Sequence, residues 1–212
     1  MKITVYSMKG GVGKTPIATN IALELGYALG TNEPFNMLDH VIPEDSLMTI
    51  QPEESFPEFP DDVNVVFDLA GIISNSATPS IQSAVLQSDV ILVPICNENK
   101  ALHGGVHTIA GIEPLNSKIV VVATKLVKQK GEAFTDWSDS REFKNIKAYV
   151  EARTGSSYPM LPLKLSKAYD SIFEDDMSIR SVMDANPLRR LNYREVDQQF
   201  SALLKFLEKY DA

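Results

Sequence analysis

The sequence predicts an α/β fold, with a mostly parallel central sheet and helices on both of its faces. Several short segments, such as Val90–Ile95, are apolar without interruption, which is typical of strands buried on both faces. Segments with helical spacing separate these strands, as crossover helices do between parallel strands. A glycine-rich loop also joins the first predicted strand directly to the first predicted helix.

The composition is that of an ordinary globular protein. The chain has 212 residues, 44% apolar and 23% charged, so we expect one folded domain spanning 1–212. Cys96 is the only cysteine, which excludes an internal disulfide and a cysteine-based zinc cluster. No segment approaches the roughly 20 apolar residues that cross a bilayer. We therefore expect a cytoplasmic protein without membrane insertion.

The first two elements follow from the hydrophobic pattern. Ile3–Met8 is rich in β-prone residues and is predicted as a strand. Pro16 opens the following helix, where its missing N–H group leaves no hydrogen bond unmade. The apolar face of this helix has the spacing of one side of an α-helix. It consists of Ile17, Ile21, Leu25 and Ala28.

The middle of the chain contains two more predicted strands and a helix. Phe35–Asp39 is predicted as a short strand, and Val63–Asp68 as a clearer strand that ends in an acidic residue. Between them, Gln51–Asp62 is rich in Glu, Pro and Asp and is predicted as a solvated loop. Ser80–Gln87 is predicted as a helix.

The second half of the chain is predicted to add two buried strands, Val90–Ile95 and Lys118–Thr124, and a long helix over Tyr193–Tyr210. The apolar stripe of this helix consists of Val196, Phe200, Leu203, Leu204 and Leu207. We expect the stripe to pack on the sheet. Docking of a partner or binding to a membrane surface is the alternative, which the acidic residues on its polar face disfavour.

The most specific motif is a phosphate-binding loop between the first strand and the first helix. It consists of Lys9, Gly10, Gly11, Val12, Gly13, Lys14 and Thr15. Its glycines allow backbone conformations that turn successive N–H groups towards an anion, and the helix N-terminus adds the positive end of its dipole. In such a loop Lys14 reaches the β- and γ-phosphates, and the Thr15 hydroxyl binds Mg²⁺. The predicted ligands are therefore ATP and Mg²⁺.

A second lysine distinguishes this loop from the general pattern. Met8 stands where the usual loop has its first glycine, and Lys9 follows it. In this respect the segment resembles the deviant Walker-A loop of the ParA/MinD superfamily of ATPases, and the similarity extends over nearly the whole chain. The resemblance implies a P-loop NTPase fold and an ATP-dependent homodimer. It also implies that Lys9 reaches the partner's phosphates and stabilises transition-state charge, as an arginine finger does.

Two acidic residues also match motifs of this family. Val65–Gly71 looks like the second acidic motif, which assigns Asp68 to the metal through a water molecule. An acid at the end of an apolar strand also lies at the edge of the sheet where α/β proteins bind ligands. Asp39 looks like the family's first switch aspartate, which makes it a candidate catalytic residue together with Lys9 and Lys14.

Two later segments match the family as well. Val122–Lys125 falls where the family packs the adenine, which assigns Thr124 and Lys125 to the nucleotide. Lys167–Phe173 and the following Asp176–Ile179 resemble the late segment of the small partition ATPases. The resemblance therefore favours the plasmid-type ParA branch over MinD.

The sequence departs from the family at two positions. The family's Asp-x-Asp-Pro motif has no second aspartate here, because Val41, or Ile42 if an insertion is allowed, stands in its place. Asp39, Glu44 or Asp45 would then have to activate the attacking water, or hydrolysis would be very slow. Pro16 replaces a hydroxyl residue that contacts the α-phosphate, so either ATP binds more weakly or that phosphate depends on backbone N–H groups.

The function implied by the resemblance is partition or positioning of cargo. The ATP-bound dimer would bind DNA or another surface, with the nucleoid as a further location, and a ParB-like adaptor or a cargo protein would stimulate hydrolysis. A nucleotide-binding regulator or assembly scaffold with little or no hydrolysis is the second hypothesis, motivated by the altered switch motif. A nitrogenase-type relative is disfavoured, because one cysteine cannot supply iron–sulfur ligands.

Basic residues and histidines provide weaker signals. The net charge of -8 repels polyanions on average, so binding to DNA requires a local basic patch. Two clusters are candidates, and an ordinary solvated surface is the equal alternative: Lys125, Lys128 and Lys130, then Arg180, Arg189, Arg190 and Arg194. His103 and His107 have the spacing of metal ligands on one helix face, but no nearby acid completes a zinc site.

Overall fold

A single parallel sheet forms the centre of the protein in the computed structural model, which describes residues 1–34, 36–71 and 78–211. Its strands are β1 (Lys2–Val5), β2 (Ala28–Thr31), β3 (Leu47–Thr49), β4 (Val65–Asp68), β5 (Val90–Cys96), β6 (Ile119–Leu126) and β7 (Met160–Lys164). They are arranged in the order β3-β2-β4-β1-β5-β6-β7, and every neighbouring pair is parallel. The predicted α/β fold with a parallel sheet is therefore confirmed.

Helices of the described chain cover both faces of this sheet. They are α1 (Lys14–Leu25), α2 (Leu38–Val41), α3 (Thr78–Gln87), α4 (Asn99–Ile112), α5 (Arg141–Thr154), α6 (Ala168–Glu174), α7 (Ile179–Ala185) and α8 (Pro187–Leu207). On one face, Ile21 of α1 and Phe200 of α8 belong to the same buried cluster. On the other face, Ile109 of α4 and Ile146 of α5 share a second cluster. Both clusters consist of buried apolar side chains, so both faces of the strands must be apolar.

The register of the central strands brings several chain segments to one edge of the sheet. Val5, the last residue of β1, pairs with Asp68 of β4 and with Leu92 of β5. The glycine-rich loop that follows β1 therefore starts beside the acidic end of β4. This is the carboxyl edge, at which parallel α/β sheets bind ligands.

The long C-terminal helix packs on the sheet as predicted. Of its predicted apolar stripe, Val196, Phe200, Leu203 and Leu207 are buried, and the helix contacts β7. It begins at Pro187, where Asn186 caps the first turn by accepting hydrogen bonds from two backbone N–H groups. No helix in the described part of the chain is long and apolar enough to cross a bilayer.

The strand predicted over Phe35–Asp39 is wrong. Phe35 lies outside the described residues, and Leu38–Val41 forms the short helix α2. The strand of this region is β2, which begins at Ala28, a residue that the helical spacing assigned to the preceding helix. Helix α1 instead ends before Gly26, which has a left-handed φ of 66° and donates its N–H to the Ala22 carbonyl.

Glycine in β2 explains why this strand lacks the apolar pattern of its neighbours. A methyl group on Gly30 would lie 3.0 Å from Cε1 of Phe56 and 3.1 Å from Cδ1 of Phe67. Phe56 comes from the predicted loop over Gln51–Asp62, and its ring lies 4.8 Å from that of Phe67 between centroids. The loop therefore supplies an aromatic side chain that takes the place of a large residue in the strand.

We predict that Gly30→Ala lowers the free energy of unfolding by about 1–3 kcal/mol, because the added methyl group overpacks the two phenylalanine rings. Urea unfolding followed by circular dichroism measures this change. Gly111→Ala is the matched control, since a methyl group at Gly111 has no heavy atom within 4 Å. Equal stability of Gly30→Ala and the wild type would show that the rings move aside without cost.

Candidate functional site

A cavity of about 680 Å³ opens at the carboxyl edge of the sheet, against the glycine-rich loop. The loop and the start of α1 form its floor, and the ends of β2, β4, β6 and β7 contribute to its walls. The residues that line it are Gly10, Gly11, Val12, Gly13, Lys14, Thr15, Pro16, Ile17, Glu33, Ala70, Gly71, Thr124, Lys125, Leu163, Leu165, Ser166, Tyr169 and Asp170. Most of the predicted site residues therefore lie together around one concave surface.

The loop backbone has the conformation that phosphate binding requires. Gly11 and Gly13 have φ values of 75° and 95°, which other residues rarely adopt. Gly13 is the N-cap of α1, and the first helical hydrogen bond runs from the Ile17 N–H to its carbonyl. Pro16 therefore lies in the first turn, where N–H groups have no helical acceptor. The residues of this turn line the cavity, and free N–H groups at a helix N-terminus attract anions.

Two side chains from neighbouring elements hold the loop in place. Thr124 of β6 donates its hydroxyl proton to the Val12 carbonyl at 2.8 Å, and both residues are buried. Lys125 is exposed and lines the cavity, with a left-handed φ of 55° at an irregularity between β6 and β7. Such strain in a non-glycine residue occurs most often at functional sites. Thr124 therefore supports the loop from below, whereas Lys125 faces the open space.

Lys14 is buried beneath the loop, with only 8% of its surface exposed. Its ammonium group donates to the Lys9 carbonyl at 3.3 Å. Burial lowers the pKa of the Lys14 amine, and the carboxylates of Asp68 and Glu33 oppose that effect. A methyl group on Gly71 would lie 3.1 Å from this nitrogen, so the glycine after β4 leaves space for the lysine. A bound polyanion would stabilise the charged form of this buried lysine.

Asp68 is the acidic counterpart of Lys14 and is 2% exposed. Burial raises the pKa of its carboxyl to about 6, while a hydrogen bond from Thr15 and the charge of Lys14 lower it. One of its oxygens, Oδ1, is buried without a hydrogen-bond partner in the described part of the chain. A carboxylate oxygen with free lone pairs beside a threonine hydroxyl is a donor set that suits Mg²⁺. Thr15 and Asp68 therefore fit the predicted metal.

Lys9 occupies a different position from Lys14. It is half-buried, does not line the cavity, and donates from Nζ to the Gly10 carbonyl at 2.8 Å. Within one subunit, its ammonium group is therefore turned back onto its own loop.

The carboxyl end of β2 contributes an acid that the sequence analysis missed. Glu33 is exposed and lines the cavity, and its charge affects both Lys14 and Asp68. The segment Thr31–Pro34 thus ends β2 with an acid followed by proline, which is the position that the Asp-x-Asp-Pro motif occupies after a strand. The pair Glu33-Pro34 could have identified this acid in the sequence. It was overlooked because the strand was predicted over Phe35–Asp39.

A buried amide connects the ends of β2 and β4. Asn32 is fully buried, and its Oδ1 accepts a hydrogen bond from the Ala70 backbone at 2.7 Å. Its Nδ2 donates to the Ser80 hydroxyl of α3 at 2.8 Å. The chain segments that carry Glu33 and Asp68 are therefore joined through one side chain.

Asp39 does not take the predicted position at the end of a strand. It lies in α2, its side chain is 67% exposed, and it is absent from the cavity lining. Val41 and Ile42, which seemed to replace the second switch aspartate, belong to the hydrophobic core. These two residues are therefore core positions, and the segment after β2 is Asn32–Pro34.

The two basic clusters differ in their partners. Three of the late arginines form ion pairs within the chain, Arg180 with Asp197, Arg189 with Asp175 and Arg190 with Asp184. Lys125, Lys128 and Lys130 form no ion pair with the described residues, although the Lys128 ammonium lies 4.5 Å from the Phe134 ring centroid.

The histidines do not assemble a metal site within the described ranges. No group of three or more metal-ligating side chains occurs among residues 1–34, 36–71 and 78–211. His103 instead packs edge-on against Tyr149 of α5, with ring centroids 5.7 Å apart.

We predict that Asp68→Asn stabilises the nucleotide-free protein at pH 7. The folded pKa of about 6 exceeds the unfolded value of 3.8, so the folded state binds more protons between these values and its stability falls as pH rises. Asp68 by itself contributes a loss of roughly 3 kcal/mol to the wild type across this window, from the size of the shift. Urea unfolding at pH 4 and pH 7 measures the difference, which the variant should lack. An equal change of stability between pH 4 and pH 7 in the wild type and in Asp68→Asn would contradict the assignment.

Comparison with known proteins gives a clear result only at the level of structure. No protein-family model and no curated protein sequence matches the chain. The apo structure of McdA from Cyanothece matches 97% of this chain and 98% of its own, with a TM-score of 0.66 and 11% identity. MinD of Pyrococcus horikoshii OT3 with Mg-ADP matches 99% and 98%, with a TM-score of 0.60 and 10% identity.

A plasmid partition protein of Borrelia burgdorferi B31 bound to AMPPNP also matches. The match covers 96% of this chain and 98% of the partition protein, with a TM-score of 0.55 and 16% identity. All three neighbours are proteins of the ParA/MinD superfamily. At these identities the likeness establishes the fold, and the chain has the α/β fold of the ParA/MinD P-loop ATPases.

Proposed function

We propose that this protein is a partition or positioning ATPase of the ParA/MinD type, which forms a homodimer when it binds ATP. One observation supports the proposal above the others, the buried pair of Lys14 and Asp68 beneath a glycine loop that faces a cavity of about 680 Å³. Burying two charges costs stability that a plain strand-to-helix turn has no reason to sacrifice. A bound triphosphate gives the buried cation a function.

Different lining residues would contact different parts of the nucleotide. Lys14 and the N–H groups of the loop bind the β- and γ-phosphates. Pro16 has no hydroxyl for the α-phosphate, so backbone N–H groups serve that phosphate alone. Thr15 directly and Asp68 through water would hold Mg²⁺, which neutralises developing charge on the phosphates. Lys125, at the far wall, borders the space left for the base, while Thr124 keeps the loop in register with β6.

Glu33 takes over the switch role that the sequence analysis gave to Asp39. It lies in the cavity wall at the end of β2, close enough to Lys14 and Asp68 to affect their pKa values. A carboxylate here can orient the attacking water and accept its proton. With an acid available, the scaffold hypothesis loses its main motive, and we favour a protein that hydrolyses ATP slowly until a partner stimulates it.

The two loop lysines should separate nucleotide binding from dimerisation. Lys14→Ala should abolish ATP binding, because it removes the buried charge at the β- and γ-phosphates. Lys9→Ala should leave binding by the monomer intact and impair the ATP-bound dimer, because the Lys9 ammonium lies outside the cavity of its own subunit. Calorimetry measures binding, and sedimentation velocity with and without ATP and Mg²⁺ measures dimerisation. Normal dimerisation of Lys9→Ala would contradict its cross-subunit role.

The two candidate switch acids should also differ in their effects. Glu33→Gln should lower the rate of ATP hydrolysis by about 100-fold, the size typical of losing a general base. ATP binding should persist, since the phosphate loop is unchanged. Asp39→Asn is the control, and we expect a wild-type rate because Asp39 does not line the cavity. Phosphate release under single-turnover conditions measures both, and the opposite ranking would return the role to Asp39.

The partners remain those that we expect from the fold, a second copy of the chain and a ParB-like adaptor or cargo protein. Non-specific DNA binding is best assigned to the segment that contains Lys125, Lys128 and Lys130, because three of the four late arginines are engaged in ion pairs. Free cations release counterions from DNA, whereas paired ones must first break a contact. Phosphate release with and without DNA and a candidate adaptor distinguishes a stimulated ATPase from a scaffold.

A further inference from the structure

Helix α4 holds the chain where it leaves β1 and enters the phosphate loop. The Thr108 hydroxyl of this helix accepts a hydrogen bond from the Met8 backbone at 2.9 Å and donates one to the Gly104 carbonyl at 2.7 Å. Thr108 is buried, so water cannot replace either contact. Gly104 therefore lies one turn before Thr108, facing the residue after Met8.

Gly104 lies directly against Lys9. A methyl group at Gly104 would stand 3.0 Å from Cβ of Lys9, which is tighter than nine in ten real Cβ contacts. It would also lie at ordinary van der Waals distance, 3.8 Å, from the Lys9 backbone nitrogen. Because Cβ is attached to the backbone, rotating the Lys9 side chain cannot relieve the contact. The Lys9 backbone is held as well, since its carbonyl accepts a hydrogen bond from Lys14 at 3.3 Å.

Helix α4 also packs closely on the sheet. The next residue, Gly105, faces β5, and a methyl group there would lie 2.4 Å from Cδ1 of Ile95. Helix α4 is thus seated as closely on the sheet as its backbone allows. Two consecutive glycines thus allow α4 to pack closely both on the sheet, at Gly105, and on the start of the phosphate loop, at Gly104.

We infer that Gly104 is a positioning residue for Lys9, and that α4 sets where the Lys9 side chain starts when it reaches towards the second subunit. The inference rests on the proposed cross-subunit role of Lys9. A side chain that bridges two molecules acts over its full length, so a small shift at its base displaces the ammonium group from the phosphates. Lys14 begins within α1 and reaches its ligand independently of this contact.

The test compares Gly104→Ala with Gly111→Ala, the same change in the same helix at a position with open space. Gly104→Ala should weaken ATP-dependent dimerisation at least about tenfold in sedimentation velocity, as expected for a misplaced reacting group. Its affinity for ADP in calorimetry should equal that of the wild type. Gly111→Ala should match the wild type in both measurements. Normal dimerisation of Gly104→Ala would overturn the inference.

A double variant identifies the route of the effect. If Gly104 acts through Lys9, then adding Gly104→Ala to Lys9→Ala should weaken dimerisation no further than Lys9→Ala alone. A further additive loss would show that Gly104 acts by another route, which also overturns the inference. If Lys9→Ala itself dimerises normally, the proposed function fails at that step and the inference falls with it. Loss of dimerisation in Lys9→Ala but not in Gly104→Ala contradicts the inference alone.

Thr108→Val provides a second variant in case Gly104→Ala does not fold. Valine keeps the shape of threonine but removes the hydroxyl that holds the Met8 backbone. Dimerisation should weaken in the same direction, again with unchanged ADP affinity. If ADP affinity and dimerisation fall together, α4 supports the whole loop and not Lys9 in particular, and the inference is wrong.

Discussion

A lysine ammonium and an aspartate carboxylate share a site that is nearly closed to water, and the carboxyl edge of the sheet is arranged around this pair. Burial shifts the pKa of Lys14 and that of Asp68 towards the neutral form of each group, which means that their mutual attraction does not cover the cost of desolvation. The folded chain nevertheless keeps both groups, with a space beside Gly71 for the ammonium. The proposed ATP and Mg²⁺ would supply the charges that this pair lacks.

The loop above this pair owes its shape to elements that do not touch a ligand. Thr124 of β6 and Thr108 of α4 each use a hydroxyl to engage backbone groups near or within the loop. A hydrogen bond is stronger in buried surroundings than in water, so these two contacts restrict the loop backbone. Preorganised N–H groups bind an anion without first paying for ordering.

Much of this architecture could be predicted from the sequence, because local patterns determined it. The apolar strands β4, β5 and β6, the stripe of α8 and the loop of Lys9–Thr15 each have their signal within a few residues. The strand β2 could not be found this way, since Gly30 is explained by Phe56, which comes from a distant loop. Because β2 was not predicted, Glu33 could not be recognised as an acid at the end of a strand, and Asp39 was chosen in its place. Strand β7 was missed because it is short and contains Pro162, which disfavours a strand. Helix α5 was missed because charged residues separate its few apolar positions.

Asn32 has a consequence for how this edge of the sheet can move. Its amide is bonded to the backbone just after β4 and to a side chain of α3, so both ends of the side chain are anchored. Any displacement of the β4 terminus on release of a phosphate would be transmitted to the residue beside Asn32, which is Glu33. The carboxylates of Glu33 and Asp68 should therefore change position together, as parts of one connected segment of this edge.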